Sequence, residues 1–360
     1  MLMSAIGTFI PVFKGGSNLP SIIVAIIFCW ALTFLVNNGV ESASFVNTIG
    51  TFCKVVPLIM FVIICIVSFK GGMFTADFWG RVANNLSKGT TTGGLWPQMK
   101  GTLMTLIWIF IGVEGASVMG SRAKSLNEAQ QATMLGFVLL LVFYMMISIL
   151  PCSSLTRAQL ASAAQPALGN DLKMIVGDWG MMIINIGLII STIVSWLSWT
   201  MLLIAEDGAA PKFWGKLNSK KAPTNALFTT AILQTIFLFS LLFTDKAYEF
   251  CYTLASIAIL FSYLFVGLYQ MKFSREHKEW TQWIYGLLAA LFQFMCMIFA
   301  GWQSVLVVSL SYIPGLIVYY QGVREQGRKL NKNEKITFIF IAILCVLSIV
   351  LIANKKINIM

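Results

Sequence analysis

Residues 108–120 read WIFIGVEGASVMG and lie inside an apolar stretch that extends from residue 102 to residue 120. One carboxylate, Glu114, stands in the middle of this stretch, between Gly112 and Gly115. A charged side chain at the centre of a membrane helix costs about 2.5–3.5 kcal/mol on insertion scales, and it persists where it faces a cavity or a partner. Each glycine weakens a helix by up to about 1 kcal/mol relative to alanine. The stretch therefore predicts a membrane helix that is interrupted next to an acidic residue.

The rest of the chain has the composition of a membrane protein. Of its 360 residues, 58% are hydrophobic and 11% are charged, and the mean hydropathy is +0.81. A soluble domain carries roughly 25% charged residues, so lipid is the main solvent of this chain. A membrane-spanning helix needs about 20 apolar residues, and ten runs qualify: 20–38, 46–69, 102–120, 133–151, 179–204, 225–243, 249–271, 280–300, 302–320 and 335–353.

These runs predict an all-α polytopic membrane protein with about ten transmembrane helices. Gly301 is expected to supply the turn that divides residues 280–320 into two spans, since this segment is too long for one. The opening residues, MLMSAIGTFIPVF, are too short to cross a bilayer and are interpreted as the second half of a helix.

The positive charge also fits a membrane protein. The net charge of +11 would suggest a nucleic-acid partner in a soluble protein, but here the Lys and Arg residues lie between apolar runs. The positive-inside rule then explains them, and no nucleic-acid partner is expected. It predicts that loops 121–132, 205–224, 272–279 and 321–334 are cytoplasmic. Loop 153–178 is then external, and we expect it to be partly helical.

Motifs of enzymes and of metal sites are absent from the sequence. The seven cysteines are scattered without a CxxC pair, which argues against a disulfide framework or a zinc site. No phosphate-binding, dinucleotide-binding or nucleophile motif appears. An intramembrane enzyme would need a nucleophile and a base, or a metal cluster, at membrane depth. We therefore predict no enzymatic activity, no cofactor and no metal.

The interrupted helix is the first candidate functional site. Unpaired backbone groups are tolerated at membrane depth only around a cavity or in contact with protein, and broken helices mark the substrate sites of many secondary transporters. The alternative is a small-residue packing face with a protonated, buried Glu114.

Trp108 and Ile111 share a helical face. Trp108 either stacks on a cationic substrate, a contact worth about 2 kcal/mol when desolvated, or simply packs.

Two further positions have alternative interpretations. Residues 191–203 read STIVSWLSWTMLL, in which Trp196 and Trp199 stand among hydroxyl side chains. Each tryptophan either forms part of an aromatic wall along a wet cavity or packs between helices. Lys54 either extends to the membrane interface or occupies a cation site between helices, and the residue pattern alone favours the first.

Residues 108–125, WIFIGVEGASVMGSRAKS, resemble the sixth helix of basic amino acid antiporters of the amino acid–polyamine–organocation superfamily, with arginine/ornithine exchangers nearest. The resemblance continues through SWLSWTMLL, residues 205–227 and residues 312–330, and it is more specific for the superfamily than for the substrate. It implies a LeuT-like fold of two inverted five-helix repeats, in which the first and sixth helices are broken. Residues 1–360 would form a single transporter domain that begins inside the third helix, so the first two helices would be missing. Residues 335–353 would be an extra C-terminal membrane helix.

The resemblance also assigns roles to residues of the sixth helix. Trp108 would be an aromatic gate over the substrate, and Ile111 would contact the aliphatic stem of the substrate. Gly112 would lie at the break. Glu114 would be a carboxylate that takes part in gating or proton sensing.

Three residues of other helices receive roles in the same way. Trp199 would stack on the cationic head group of the substrate. Ser256 would be a polar site residue on a later helix, by a loose alignment. The ammonium of Lys54 would stand where sodium lies in sodium-coupled relatives, which makes a functional role of Lys54 as plausible as simple extension to the interface.

The implied function is exchange of arginine for ornithine by alternating access in the cell inner membrane. Exchange of lysine, histidine or a polyamine or diamine is an alternative within the same family. A non-transporting membrane remnant or subunit is a further alternative, and the absence of the family's first two helices would favour it. Basic amino acids and the lipid bilayer are thus the expected partners, and a homodimer is left open.

Overall fold

The computed structural model describes residues 1–39, 44–75, 95–112, 125–200, 210–243 and 247–354. These residues form fourteen α-helices and two short 3-10 turns, and none of them is in a β-strand. In chain order the helices are α1 (Leu2–Ile6), α2 (Leu19–Asn37), α3 (Ser44–Val67), α4 (Gly71–Thr75), α5 (Leu95–Phe110), α6 (Leu126–Ile149), α7 (Arg157–Ser162), α8 (Ala167–Val176), α9 (Asp178–Thr200), α10 (Thr224–Ser240), α11 (Ala247–Glu276), α12 (Trp280–Ala300), α13 (Trp302–Glu325) and α14 (Lys332–Ala353). The all-α prediction is confirmed for the described part of the chain.

Eight of these helices are long and apolar enough to cross a membrane: α2, α3, α6, α9, α11, α12, α13 and α14. They coincide with eight of the ten predicted runs. The run 225–243 corresponds to α10, which is apolar but only 17 residues long. The run 102–120 is helical as far as Phe110, and residues 113–120 lie outside the described residues.

Local sequence signals explain several helix ends. The Asn18 side chain accepts a hydrogen bond from the Ser21 amide at 3.0 Å and so begins α2, which satisfies one of the unpaired amides of the first turn. Gly301 has φ +87° and separates α12 from α13, so the predicted turn in residues 280–320 is confirmed. Residues 153–178 contain α7 and α8, as expected for a partly helical loop.

The chain folds into two compact units. Unit 1 comprises Met1–Thr90 and Met134–Asp245, and unit 2 comprises Thr91–Thr133 and Lys246–Met360. In unit 1, α3, α8 and α9 pack around a buried apolar cluster formed by Phe61, Cys65, Leu172 and Ile184.

Polar side chains also join helices α2 and α10 of unit 1. The Trp30 indole N–H donates to the Thr235 hydroxyl at 3.1 Å, and the Cys29 thiol donates to the Gln234 amide oxygen at 3.3 Å. Such interhelical bonds link helices in lipid, where apolar burial contributes little to association. They therefore help to fix the position of α10, whose apolar length is modest.

In unit 2, helices α11 and α12 approach each other backbone to backbone. A Cβ atom added at Gly286 would lie 2.9 Å from the Gly267 carbonyl oxygen and 2.9 Å from the Met271 amide nitrogen. A Cβ atom added at Gly267 would lie 2.9 Å from the Ala290 amide nitrogen. Small residues at this spacing let membrane helices pack closely, so neither glycine has room for a larger side chain.

Gly286→Val is therefore expected to destabilise unit 2. The added atoms meet backbone rather than flexible side chains, and overpacking costs typically about 1–3 kcal/mol. The thermal unfolding midpoint of the detergent-solubilised protein, followed by size-exclusion chromatography, should fall clearly below that of the parent. Gly315→Val is the matched control, because Gly315 also lies in a helix of unit 2 but has no atom within 4 Å of its Cβ position. Equal midpoints for the two variants would contradict the close approach.

Candidate functional site

The candidate site begins where α5 ends. The helix ends at Phe110, and the Ile111 amide donates to the Trp108 carbonyl oxygen at 3.3 Å, which tightens the last turn. Gly112 then adopts φ +112°, a conformation that glycine reaches without steric cost and L side chains rarely adopt. The helix thus ends four residues before Glu114 in the sequence. Glu114 itself lies outside the described residues.

Trp108 lies on the last turn of α5, next to α11. Its ring centroid is 6.2 Å from that of Tyr252, with the planes tilted by 57°. This distance lies within the range of favourable aromatic pairs. Trp108 nevertheless remains 40% exposed, so the contact leaves part of the indole uncovered. Earlier in α5, Leu103 and Ile107 pack against the buried cluster that contains Leu260 of α11, and these contacts hold the two helices together.

Ser256 lies one turn after Tyr252 on α11 and is fully buried. Its hydroxyl donates to the Tyr252 carbonyl oxygen at 2.8 Å. The proton of the hydroxyl is therefore used within the helix, and only the oxygen lone pairs are left for another group. The structure thus brings Trp108 and Ser256 close to the same residue, Tyr252.

Tyr252 did not emerge from the sequence as a candidate. The signal that could have identified it is its spacing of four residues from Ser256, which places the two on one helical face. The partner on α5 could not be derived in this way, because the pairing of two distant helices leaves no local period in the sequence.

Trp199 and Lys54 belong to unit 1. The backbone of Trp199 is part of α9, which ends at Thr200, but its side chain lies outside the described residues. Lys54 lies on α3 with an exposed side chain, and within the described residues the structure gives its ammonium no hydrogen bond or ion pair. The exposed position of the Lys54 side chain is compatible with its extension to the membrane interface.

Trp196, the neighbour of Trp199 on α9, is partly buried. It packs against a cluster formed by Leu32, Val36, Ala222 and Leu227. The hydroxyls of Ser191 and Thr192 donate to the Leu188 carbonyl oxygen at 3.1 and 2.7 Å. These groups serve packing and the helix itself, which favours the packing interpretation for Trp196.

A buried carboxyl group outside the predicted site is that of Asp171, on α8. One of its oxygens has no hydrogen-bond partner among the described residues. Burial raises the pKa of Asp171 above its ordinary value, because desolvation penalises the charged form. In the sequence this residue is part of the loop segment 153–178, where an aspartate is normally solvated. The described residues contain no group of three or more His, Cys, Asp and Glu side chains that could hold a metal ion.

Comparison with known proteins identifies the family. A family model described as amino acid permease matches residues 1–313. An arginine/ornithine antiporter of Latilactobacillus sakei is 43% identical over 99% of this chain and 77% of its own length. An arginine/ornithine antiporter of Lactococcus lactis subsp. cremoris is 38% identical over 97% of this chain and 70% of its own length. An arginine/agmatine antiporter of Chlamydia felis is 34% identical over 99% of this chain and 77% of its own length. The chain therefore belongs to the amino acid permease family of the amino acid–polyamine–organocation superfamily, and it is a multi-pass membrane transporter rather than an enzyme.

Proposed function

We propose that this protein exchanges arginine for ornithine across the cell inner membrane by alternating access. The observation that carries the proposal is the end of α5 at Phe110, followed by the positive φ of Gly112, two residues before Glu114 in the sequence. A helix that stops at membrane depth next to a carboxylate offers backbone groups and a negative charge to a polar, cationic solute. The names of the related antiporters support the choice of arginine and ornithine.

Each candidate residue has a defined part in this proposal. The uncovered part of the Trp108 indole forms the gate over the substrate, and Ile111 contacts the aliphatic stem that arginine and ornithine share. Gly112 provides the break, and Glu114 responds to the charge of the substrate or to a proton. These assignments explain why a tryptophan lies at the end of a broken helix rather than in the interfacial belt, where most membrane tryptophans lie.

The remaining candidates act from other helices. Trp199 stacks on the guanidinium or ammonium head group, because an indole face attracts a desolvated cation. Ser256 contributes its hydroxyl oxygen as an acceptor, since its proton is donated to the Tyr252 carbonyl. Lys54 is assigned to a cation site, with extension of its exposed side chain to the membrane interface as the alternative.

We also propose that the eight spans belong to a LeuT-like arrangement of inverted repeats. In this arrangement α14 is an extra C-terminal membrane helix, and its position after the matched residues 1–313 supports that assignment. Loop 153–178 is external and loop 205–224 is cytoplasmic, as the distribution of Lys and Arg indicates.

Counterflow in proteoliposomes tests the proposal. Vesicles loaded with unlabelled ornithine should accumulate external labelled arginine, and unloaded vesicles should not. Vesicles loaded with lysine, histidine, agmatine or putrescine compare the alternative substrates directly. If lysine or a diamine supports uptake and ornithine does not, the substrate assignment is wrong. If a monodisperse, folded protein gives no uptake with any of these solutes, the non-transporting alternative is favoured.

Trp199→Ala is expected to reduce this counterflow about 30-fold, since a desolvated cation–π contact is worth about 2 kcal/mol. Trp302→Ala is the control, because Trp302 is an exposed tryptophan at the start of α13 and has no role in the proposed site. The initial rate of labelled arginine uptake measures both variants. A Trp199→Ala protein with the uptake rate of the control would remove Trp199 from the site.

A further inference from the structure

The connection that precedes α10 contains a short segment with an unusual surface. Residues 210–223 read APKFWGKLNSKKAP and are called here the lysine loop. The segment has four lysines, at positions 212, 216, 220 and 221, and no acidic residue; the acidic residues of the connection, Glu206 and Asp207, precede it. Two large apolar side chains point outward among the lysines, since Phe213 is 54% exposed and Leu217 is 53% exposed.

Phe213 and Leu217 lie on a loop whose conformation is fixed by hydrogen bonds. The Asn218 side-chain oxygen accepts hydrogen bonds from the amides of Lys220 and Ala222 at 2.9 and 3.0 Å. The Asn225 side chain donates to the Phe213 carbonyl oxygen at 2.7 Å. These hydrogen bonds hold Phe213 and Leu217 outward in one arrangement. Their exposure is therefore a feature of the folded loop.

The lysine loop is also fixed to the end of a membrane span. The Asn218 side chain donates to the carbonyl oxygen of Asn37 at 2.8 Å, and the Thr224 hydroxyl donates to the Asn37 side chain at 2.6 Å. Asn37 is the last residue of α2, which is long and apolar enough to cross a membrane. The loop therefore lies at the level where α2 leaves the hydrocarbon, which is the level of the lipid headgroups.

We propose that the lysine loop is a membrane-interface anchor for an anionic leaflet. Phe213 and Leu217 insert below the headgroups, and the ammonium groups of Lys216 and Lys221 lie against lipid phosphates. The Lys220 ammonium donates to the Asn38 side-chain oxygen at 3.2 Å and so helps to hold the loop at the end of α2. Segments with apolar side chains and a basic surface bind in this way at membrane surfaces, and basic residues next to a membrane span favour anionic lipids. The occupant is a lipid surface because the charge is uniformly positive and the loop is held within reach of the bilayer.

A fluorescent probe at position 213 tests this assignment. The parent for labelling replaces Cys53, Cys152 and Cys251, which are exposed or half-buried, by alanine, and it retains the four buried cysteines. Phe213→Cys and Ser219→Cys are each labelled with an environment-sensitive nitrobenzoxadiazole maleimide. Ser219 is the matched control because it lies on the same loop and is exposed. The parent without an added cysteine shows the background labelling.

The purified full-length variants are reconstituted into vesicles of phosphatidylcholine alone or of phosphatidylcholine with phosphatidylglycerol. In the anionic vesicles, the probe at position 213 should emit at shorter wavelength and be quenched by shallow spin-labelled lipids, whereas the probe at position 219 should report water. Replacing Lys216 and Lys221 by glutamine should reduce the quenching at position 213. Equal emission and quenching at positions 213 and 219 would overturn the proposal and leave a protein partner as the occupant of this surface.

Discussion

Trp108→Ala should reduce arginine counterflow about 30-fold while the protein remains folded. The removed indole faces the proposed substrate, and a cation–π contact in a desolvated site is worth about 2 kcal/mol. The cost in stability should be small by comparison, since Trp108 is 40% exposed and its aromatic contact is with the ring of Tyr252. Trp108→Phe should retain more activity than Trp108→Ala, because a smaller aromatic face remains available to the cation.

The measurement combines transport and folding. Initial rates of labelled arginine uptake over a range of concentrations separate weaker substrate binding from slower exchange, and the thermal unfolding midpoint reports stability. Trp302→Ala is again the control for loss of an exposed indole. Similar uptake by Trp108→Ala and Trp302→Ala would favour the alternative in which Trp108 simply packs against Tyr252.

The sequence predicted the positions of the membrane helices well, for a physical reason. The thickness of the hydrocarbon layer sets the length of a spanning helix, so length and apolar composition together locate each span. A glycine between two apolar runs then marks a turn, as Gly301 does. Among the runs whose ends the structure describes, the exception is α10, which has only 17 residues. Its apolar run continues to residue 243, but the helix ends at Ser240.

The candidate site was predictable only in part. The end of the helix at Phe110 could be anticipated because a carboxylate and two glycines are unfavourable in a continuous membrane helix. Whether the span resumes after Gly112 stays a prediction, since residues 113–124 lie outside the described residues. The contact with Tyr252 could not, because nothing in residues 95–110 indicates which later helix will lie beside them. The burial of Asp171 could not be predicted either, because it depends on how the short helix α8 packs against other helices. The bond of Asn218 to the end of α2 likewise depends on tertiary contacts that leave no sequence period.

Gly112→Val is expected to abolish counterflow. At φ +112° a β-branched side chain clashes with its own backbone, and holding a residue in such a sparsely populated region costs of order 1–3 kcal/mol. The chain relieves this strain by changing the conformation at position 112. Any such change redirects the backbone that carries Ile111 on one side and Glu114 on the other, so the proposed substrate contacts are lost together.

A second glycine separates this effect from strain alone. Gly327 also has a positive φ, of +74°, and no atom lies within 4 Å of its Cβ position, but it lies in the connection between α13 and α14. Gly327→Val therefore also introduces backbone strain, but in a different connection of the chain. We expect both variants to lower the thermal unfolding midpoint and only Gly112→Val to lose arginine uptake. Retained uptake in Gly112→Val would show that the conformation of Gly112 is not required for exchange. An equal loss in Gly327→Val would show that backbone strain in general, and not the conformation at position 112, abolishes uptake.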